Sequence, residues 1–128
     1  MDFTIDSEQK ALVGAVKALV SDVYDSSETR RAATKVDPGF AAWDKLAEMG
    51  VLSLPFEATA VEVSLACEEL GKVIAPDPYV EAIVLAGGLI DALGTDEQKA
   101  QYLDAIAGGE VLPILAWLEP GRRWATDA

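Results

Sequence analysis

The sequence has no histidine, a single cysteine and no long apolar run. Without histidine the chain lacks the commonest general base and metal ligand. The lone Cys67 cannot close a disulfide within the chain. There is no Cys/His cluster and no calcium-loop pattern, so no metal site is expected. Basic residues are also scarce: ten Lys and Arg face 22 Asp and Glu, for a net charge of −12. Binding nucleic acid requires clustered cations, so that class is excluded. The longest apolar stretch, around Ile83 to Leu93, is too short to span a bilayer and is interrupted by Gly87-Gly88. The opening residues, MDFTIDSEQ, are acidic and lack the basic-then-apolar order of a signal peptide. The expectation is a cytoplasmic protein that contacts neither membrane nor nucleic acid.

What is present is enough apolar content, 51% of 128 residues, for one domain with a modest core. The stretch from Thr59 to Tyr79 organises the rest. Thr59 and Glu62 form a capping-box pattern. Val61, Leu65, Ala66, Leu70 and Val73 recur at helical spacing and predict one buried face. The segment Ala75-Pro76-Asp77-Pro78 cannot continue a helix. Asp77 is expected to cap the next helix, with Pro78 at its first position.

Asp6 with Gln9 predicts a first helix reaching about Tyr24, with Leu12, Val16, Leu19, Val20 and Val23 as its stripe. Residues 25–36 have no clear period and read as a loop or a frayed helix end. Asp37-Pro38-Gly39 is expected to start a second helix that buries Phe40, Trp43, Leu46 and Ala47 and stops at Gly50. Val51 to Phe56 reads as an extended connector. A fourth helix carries Val80, Ile83, Val84, Ile90 and Leu93 and closes at Gly94. Thr95 and Gln98 box the start of a fifth, with Leu103 and Ile106 inward and Gly108-Gly109 as its stop. The run Val111 to Leu118 is short, apolar and bounded by glycine, which is a strand signal. One strand is not stable alone, so it is expected to belong to a β domain beyond this sequence. The predicted fold class is all-α, with five bundle-like helices over residues 1–110 and the first strand of a missing β domain over 111–128.

No catalytic constellation appears, and no catalytic residue is assigned. Glu68 and Glu69 are adjacent on a helix and do not share a face, so a solvated or ion-paired role is favoured. Cys67 sits among apolar neighbours with no base, which favours a structural thiol. Gly87-Gly88 lacks the further glycines of a phosphate loop and reads as a close-packing site.

The order of motifs says more than any one of them. Phe3 precedes Glu8-Gln9; then come Trp43 with LAEMGVLSLP, CEELGKVIAPDPY, LGTDEQKAQYLDAIAGGEV and AWLEPG. This string resembles the amino-terminal domain of acyl-CoA dehydrogenases over nearly the whole chain. The resemblance implies an amino-terminal helical domain that walls the acyl pocket and supports flavin and subunit contacts. The intact member would bind FAD and dehydrogenate an acyl-CoA thioester at its α and β carbons, in fatty acid or steroid side-chain β-oxidation. It would act as a homo- or hetero-oligomer. The glutamate base belongs to the carboxy-terminal part, so this chain alone should not catalyse the reaction.

In the same resemblance Trp117, Leu118, Glu119 and Pro120 fall in the flavin-contacting segment. Glu119 and Pro120 match the family pattern. Leu118 replaces a flavin-bonding threonine, and Arg123 and Trp124 stand where a glycine and a serine let the backbone approach the cofactor. The connection between Pro55 and Thr59 is also shorter than the family's glycine-rich one. The alternative implied is a non-catalytic partner subunit of a heteromeric acyl-CoA dehydrogenase. An exposed apolar run after Gly109 further predicts self-association in moderate salt, with Trp117 in the contact, or else disorder of the segment after Gly109.

Overall fold

The structure, a computed structural model, describes residues 4–24 and 39–117. All regular structure among them is helical. Seven segments follow in order: α1 (Ser7–Val23), α2 (Trp43–Glu48), α3 (Leu54–Glu57), α4 (Ala60–Lys72), α5 (Tyr79–Gly87, of π-helical pitch), α6 (Gly88–Leu93) and α7 (Asp96–Ala107).

Three helices begin at the predicted capping boxes. Asp6 Oδ1 accepts from the Gln9 N–H at 2.8 Å, and Gln9 Oε1 accepts from the Asp6 N–H at 3.0 Å. Thr59 with Glu62 and Thr95 with Gln98 repeat the exchange. Each box satisfies donors that a helix start leaves free. The boxes of α1 and α4 are also linked to each other, because Gln9 Nε2 donates to Glu62 Oε1 at 2.7 Å. At the far end Tyr24 meets Asp77. Pinned at both ends, α1 and α4 run side by side in the same direction.

The core gathers Val16 and Val20 of α1, Trp43 and Leu46 of α2, Ala66 and Leu70 of α4, Tyr79 and Ile83 of α5, and Ile106 of α7. Helix α4 packs on α1 and α3, while α5 meets α3, α6 and α7. The centre is thus shared between α4 and α5. Tyr79 is the largest wholly buried side chain, and its hydroxyl donates to the Val51 carbonyl at 3.1 Å.

Several expectations are corrected. The predicted face of α4 holds in part: Ala66 and Leu70 are buried and Val73 packs on the core, but Glu69 is buried beside them, Val61 is 48% exposed and Leu65 lies outside the core. Phe40 is also outward, tilted against the Trp43 ring at 6.5 Å. The second helix begins at Trp43, and the proposed Asp37-Pro38 start lies outside the described residues. Val51 to Phe56 is no extended connector: Val51 and Leu52 are fully buried, and Pro55 sits in the first turn of α3, where its missing N–H costs nothing. Asp77 does not cap α5, whose first turn has no side-chain cap. The strand expected from Val111 does not form over residues 111–117, because no described segment pairs with it. Leu118 and the residues after it lie outside the described range.

Candidate functional site

The most unusual chemistry lies where α1, α2 and the α4–α5 connection meet. The Tyr24 hydroxyl donates to Asp77 Oδ2 at 2.5 Å and accepts from the Ala42 N–H at 3.1 Å. Asp77 is 7% exposed, and its Oδ1 has no hydrogen-bond partner among the described residues. Burial raises its pKa above the ordinary carboxylate value. The Tyr24 hydroxyl and the nearby backbone N–H groups of Asp77, Ala42 and Trp43 pull it back. Burial likewise raises Tyr24, and the Asp77 bond adds to this. An unpaired buried acceptor costs about 1–3 kcal/mol. The same connection holds Ile74 at φ 54°, a left-handed conformation that a β-branched residue rarely takes.

A cleft of about 300 Å³ adjoins this connection, lined by Cys67, Leu70, Ile74, Asp77, Tyr79 and Glu81 among others. Cys67 is a free, half-buried thiol, and burial raises its pKa, so it is a poor nucleophile. Burial also raises Tyr79, with a smaller contribution from the charge of Cys67. Glu68 and Glu69 do pair with a cation: Lys72 Nζ lies 2.8 Å from Glu68 Oε1 and 2.6 Å from Glu69 Oε1. Glu69 is the buried partner, and Lys72 lets a carboxylate sit in the buried stripe of α4. Glu62 is held down to about 2 by its bonds from Thr59 and Gln9.

Gly87 is the close-packing glycine of its pair. A Cβ there would lie 2.9 Å from Phe56 Cζ, whereas Gly88 faces open space. Gly109, at φ 76°, closes α7 against α2, where a Cβ would meet Ala47 at 3.1 Å and Trp43 Nε1 at 3.2 Å. Its carbonyl accepts from Trp43 Nε1.

Two apolar surfaces remain uncovered among the described residues. Leu89, Ile90, Leu93 and Tyr102 line a shallow cleft of about 270 Å³. Beyond Gly109, residues 111–117 run outward, with Ile114 80% and Trp117 54% exposed. Of the four residues expected at a flavin, only Trp117 is described, and Leu118, Glu119 and Pro120 fall outside the described residues. No group of three or more metal-ligating side chains occurs among the described residues, and no described helix is long and apolar enough to cross a membrane. The site that sequence reasoning missed is Tyr24–Asp77. Its only signal was an aspartate between two prolines, which reads equally well as a helix cap.

Residues 6–110 match the family described as acyl-CoA dehydrogenase, N-terminal domain. The chain is 30% identical over 129 residues to acyl-CoA dehydrogenase FadE27 of Mycobacterium tuberculosis, an alignment covering 89% of this chain and 33% of that protein. It is 27% identical over 133 residues to the probable acyl-CoA dehydrogenase YngJ of Bacillus subtilis, covering 94% and 34%. Its fold superposes on a chain of the ChsE4-ChsE5 complex from Mycobacterium tuberculosis with a TM-score of 0.74 and 25% identity, over 88% of this chain and 33% of that one. The chain spans about a third of the length of the curated relatives it matches. With its family match covering the three boxed helices and the whole core, the chain belongs to the acyl-CoA dehydrogenase family, in the part that forms the amino-terminal helical domain.

Proposed function

We propose that this chain is the helical wall of a flavin-dependent acyl-CoA dehydrogenase. It shapes the acyl pocket and supports flavin and subunit contacts, and the remaining parts of the enzyme carry the base and most of the cofactor site. Residues 111–128 are the start of the middle β domain in this reading. The reaction is α,β-dehydrogenation of an acyl-CoA thioester, in fatty acid or steroid side-chain β-oxidation, in the cytoplasm. One observation carries the reading: the family match over residues 6–110 ends where the chain leaves its helices as an exposed apolar run. An apolar surface of this kind fits cover by further protein.

The second reading is a non-catalytic partner subunit of a heteromeric acyl-CoA dehydrogenase. Leu118, Arg123 and Trp124, at positions where flavin contacts are expected, favour it. So does the likeness to a complex of two named proteins. Purification of the complete protein with its native partners separates the two. A yellow protein whose own flavin is reduced by an acyl-CoA supports the enzyme. A colourless subunit that binds an active relative and alters its acyl preference supports the partner. A protein that binds neither flavin nor an acyl-CoA dehydrogenase subunit contradicts both.

A further inference from the structure

We propose that the polar contacts at the two ends of α1 act together as a register lock, which fixes how far along α4 the first helix sits. Such a lock belongs to this chain's own fold and stands apart from the dehydrogenase reading.

Both contacts join residues the same number of positions apart. Gln9 Nε2 donates to Glu62 Oε1, and the Tyr24 hydroxyl donates to Asp77 Oδ2; each pair is separated by 53 positions. The helix caps keep that offset, because Thr59 also follows Asp6 by 53 positions. Positions 9 and 24 are about 22 Å apart along a helix axis. An offset held constant over that length means two parallel helices in a single register.

The apolar seam does not set this register by itself. On α1, Leu12, Val16 and Val20 are spaced by four and share one face toward the core. Sliding α1 by four residues puts Leu12 in the place of Val16 and Val16 in the place of Val20, so aliphatic side chains still face the core. The polar ends do not tolerate the slide. It carries Gln9 about 6 Å from Glu62. It also parts Tyr24 from Asp77, a carboxylate only 7% exposed, and leaves that group without its side-chain donor. A buried polar pair costs stability and excludes the registers that an apolar seam allows, as a buried polar residue does in a coiled coil. Tyr24 extends the lock to the start of α2, since its oxygen accepts from the Ala42 N–H at 3.1 Å.

The test is methyl NOE spectroscopy of the full-length chain, read at Leu12, Val16, Val20, Ala66 and Leu70. The unaltered protein should show one set of contacts. In the double variant Gln9→Ala/Tyr24→Phe a second set should appear, with Leu12 taking the neighbours of Val16, at about a tenth of the intensity or more. Position 9 keeps its own N–H for Asp6, so the helix start survives. Sucrose in the buffer favours the folded state without replacing either bond. Gln9→Lys/Tyr24→Phe returns a donor to Glu62 and should restore the single set. Native contacts alone in the double variant overturn the proposal. So does a double variant that stays unfolded in sucrose, because the contacts then hold the fold and not the register. A second set that persists in Gln9→Lys/Tyr24→Phe overturns it as well.

Discussion

Two non-helical stretches of this chain, residues 73–78 and residues 111–117, look alike in sequence and behave oppositely. Both are apolar, carry proline and follow a helix that ends near glycine. The first is anchored to the core: Asp77 is buried against Tyr24, Val73 and Ala75 pack on the core although Ile74 is exposed, and the stretch leads into the buried Tyr79. The second runs outward, and Val111, Leu112, Ile114, Leu115 and Trp117 are each at least 36% exposed. The difference is one of partners. Residues 73–78 are held by groups from α1 and α2, which lie far away in sequence and within reach in space. Residues 111–117 pair with no described strand, and Ile114 and Trp117 stay largely exposed. Apolar character says that a stretch wants cover, and it does not say whether the same chain provides it.

The contrast can be broken from its buried side first. Tyr79→Ala empties the largest wholly buried site and strips the donor from the Val51 carbonyl. It should cost about 3–5 kcal/mol, read by denaturant unfolding. Tyr24→Phe removes the donor to a buried carboxylate and the acceptor of the Ala42 N–H. A loss of about 1–3 kcal/mol is expected, and no loss would show that the relay is not formed in solution.

Asp77 sharpens the comparison through pH. Burial raises its folded pKa above the ordinary carboxylate value, so its contribution to stability is full below the ordinary value and is lost as pH rises through the folded one. Asp77→Asn lacks this loss. Urea unfolding from acid to neutral pH should show the asparagine variant gaining on the wild type as pH rises. A parallel course for the two would contradict the burial argument.

Smaller effects come from the outward faces. Leu65→Ala should cost under about 1 kcal/mol, well below a buried leucine, because Leu65 lies outside the core. Ile114→Ser, in the exposed run, should leave unfolding unchanged within about 0.5 kcal/mol.

The legible parts of this fold are those fixed by neighbours in sequence. The boxes at Asp6, Thr59 and Thr95 each require a residue three positions on, and all three start helices. Gly50 and Gly109 end segments at positive φ because a local turn demands it. The phase of α4 was legible only in part, through Ala66, Leu70 and Val73. Its buried stripe contains Glu69, made tolerable by Lys72, so an apolar-only pattern points one residue away. Nor was the pitch of α5: Val80, Leu85, Leu89 and Leu93 keep exposed apolar side chains, so the segment from 79 to 93 shows no polar face to set a period. Pro55 reads as a breaker and serves as a helix opener. The Tyr24–Asp77 contact spans 53 positions and leaves no local trace. The four expected flavin-segment residues remain a reading from resemblance alone, and three of them lie outside the described residues.

Amide hydrogen exchange of the chain by itself tests the contrast between the two stretches most directly. The account predicts strong protection at Val16, Leu46, Ile83 and Ile106, measurable protection at Tyr79, and exchange at the unprotected rate from Leu112 to Trp117. Protection across residues 112–117 equal to that of the helices would contradict it.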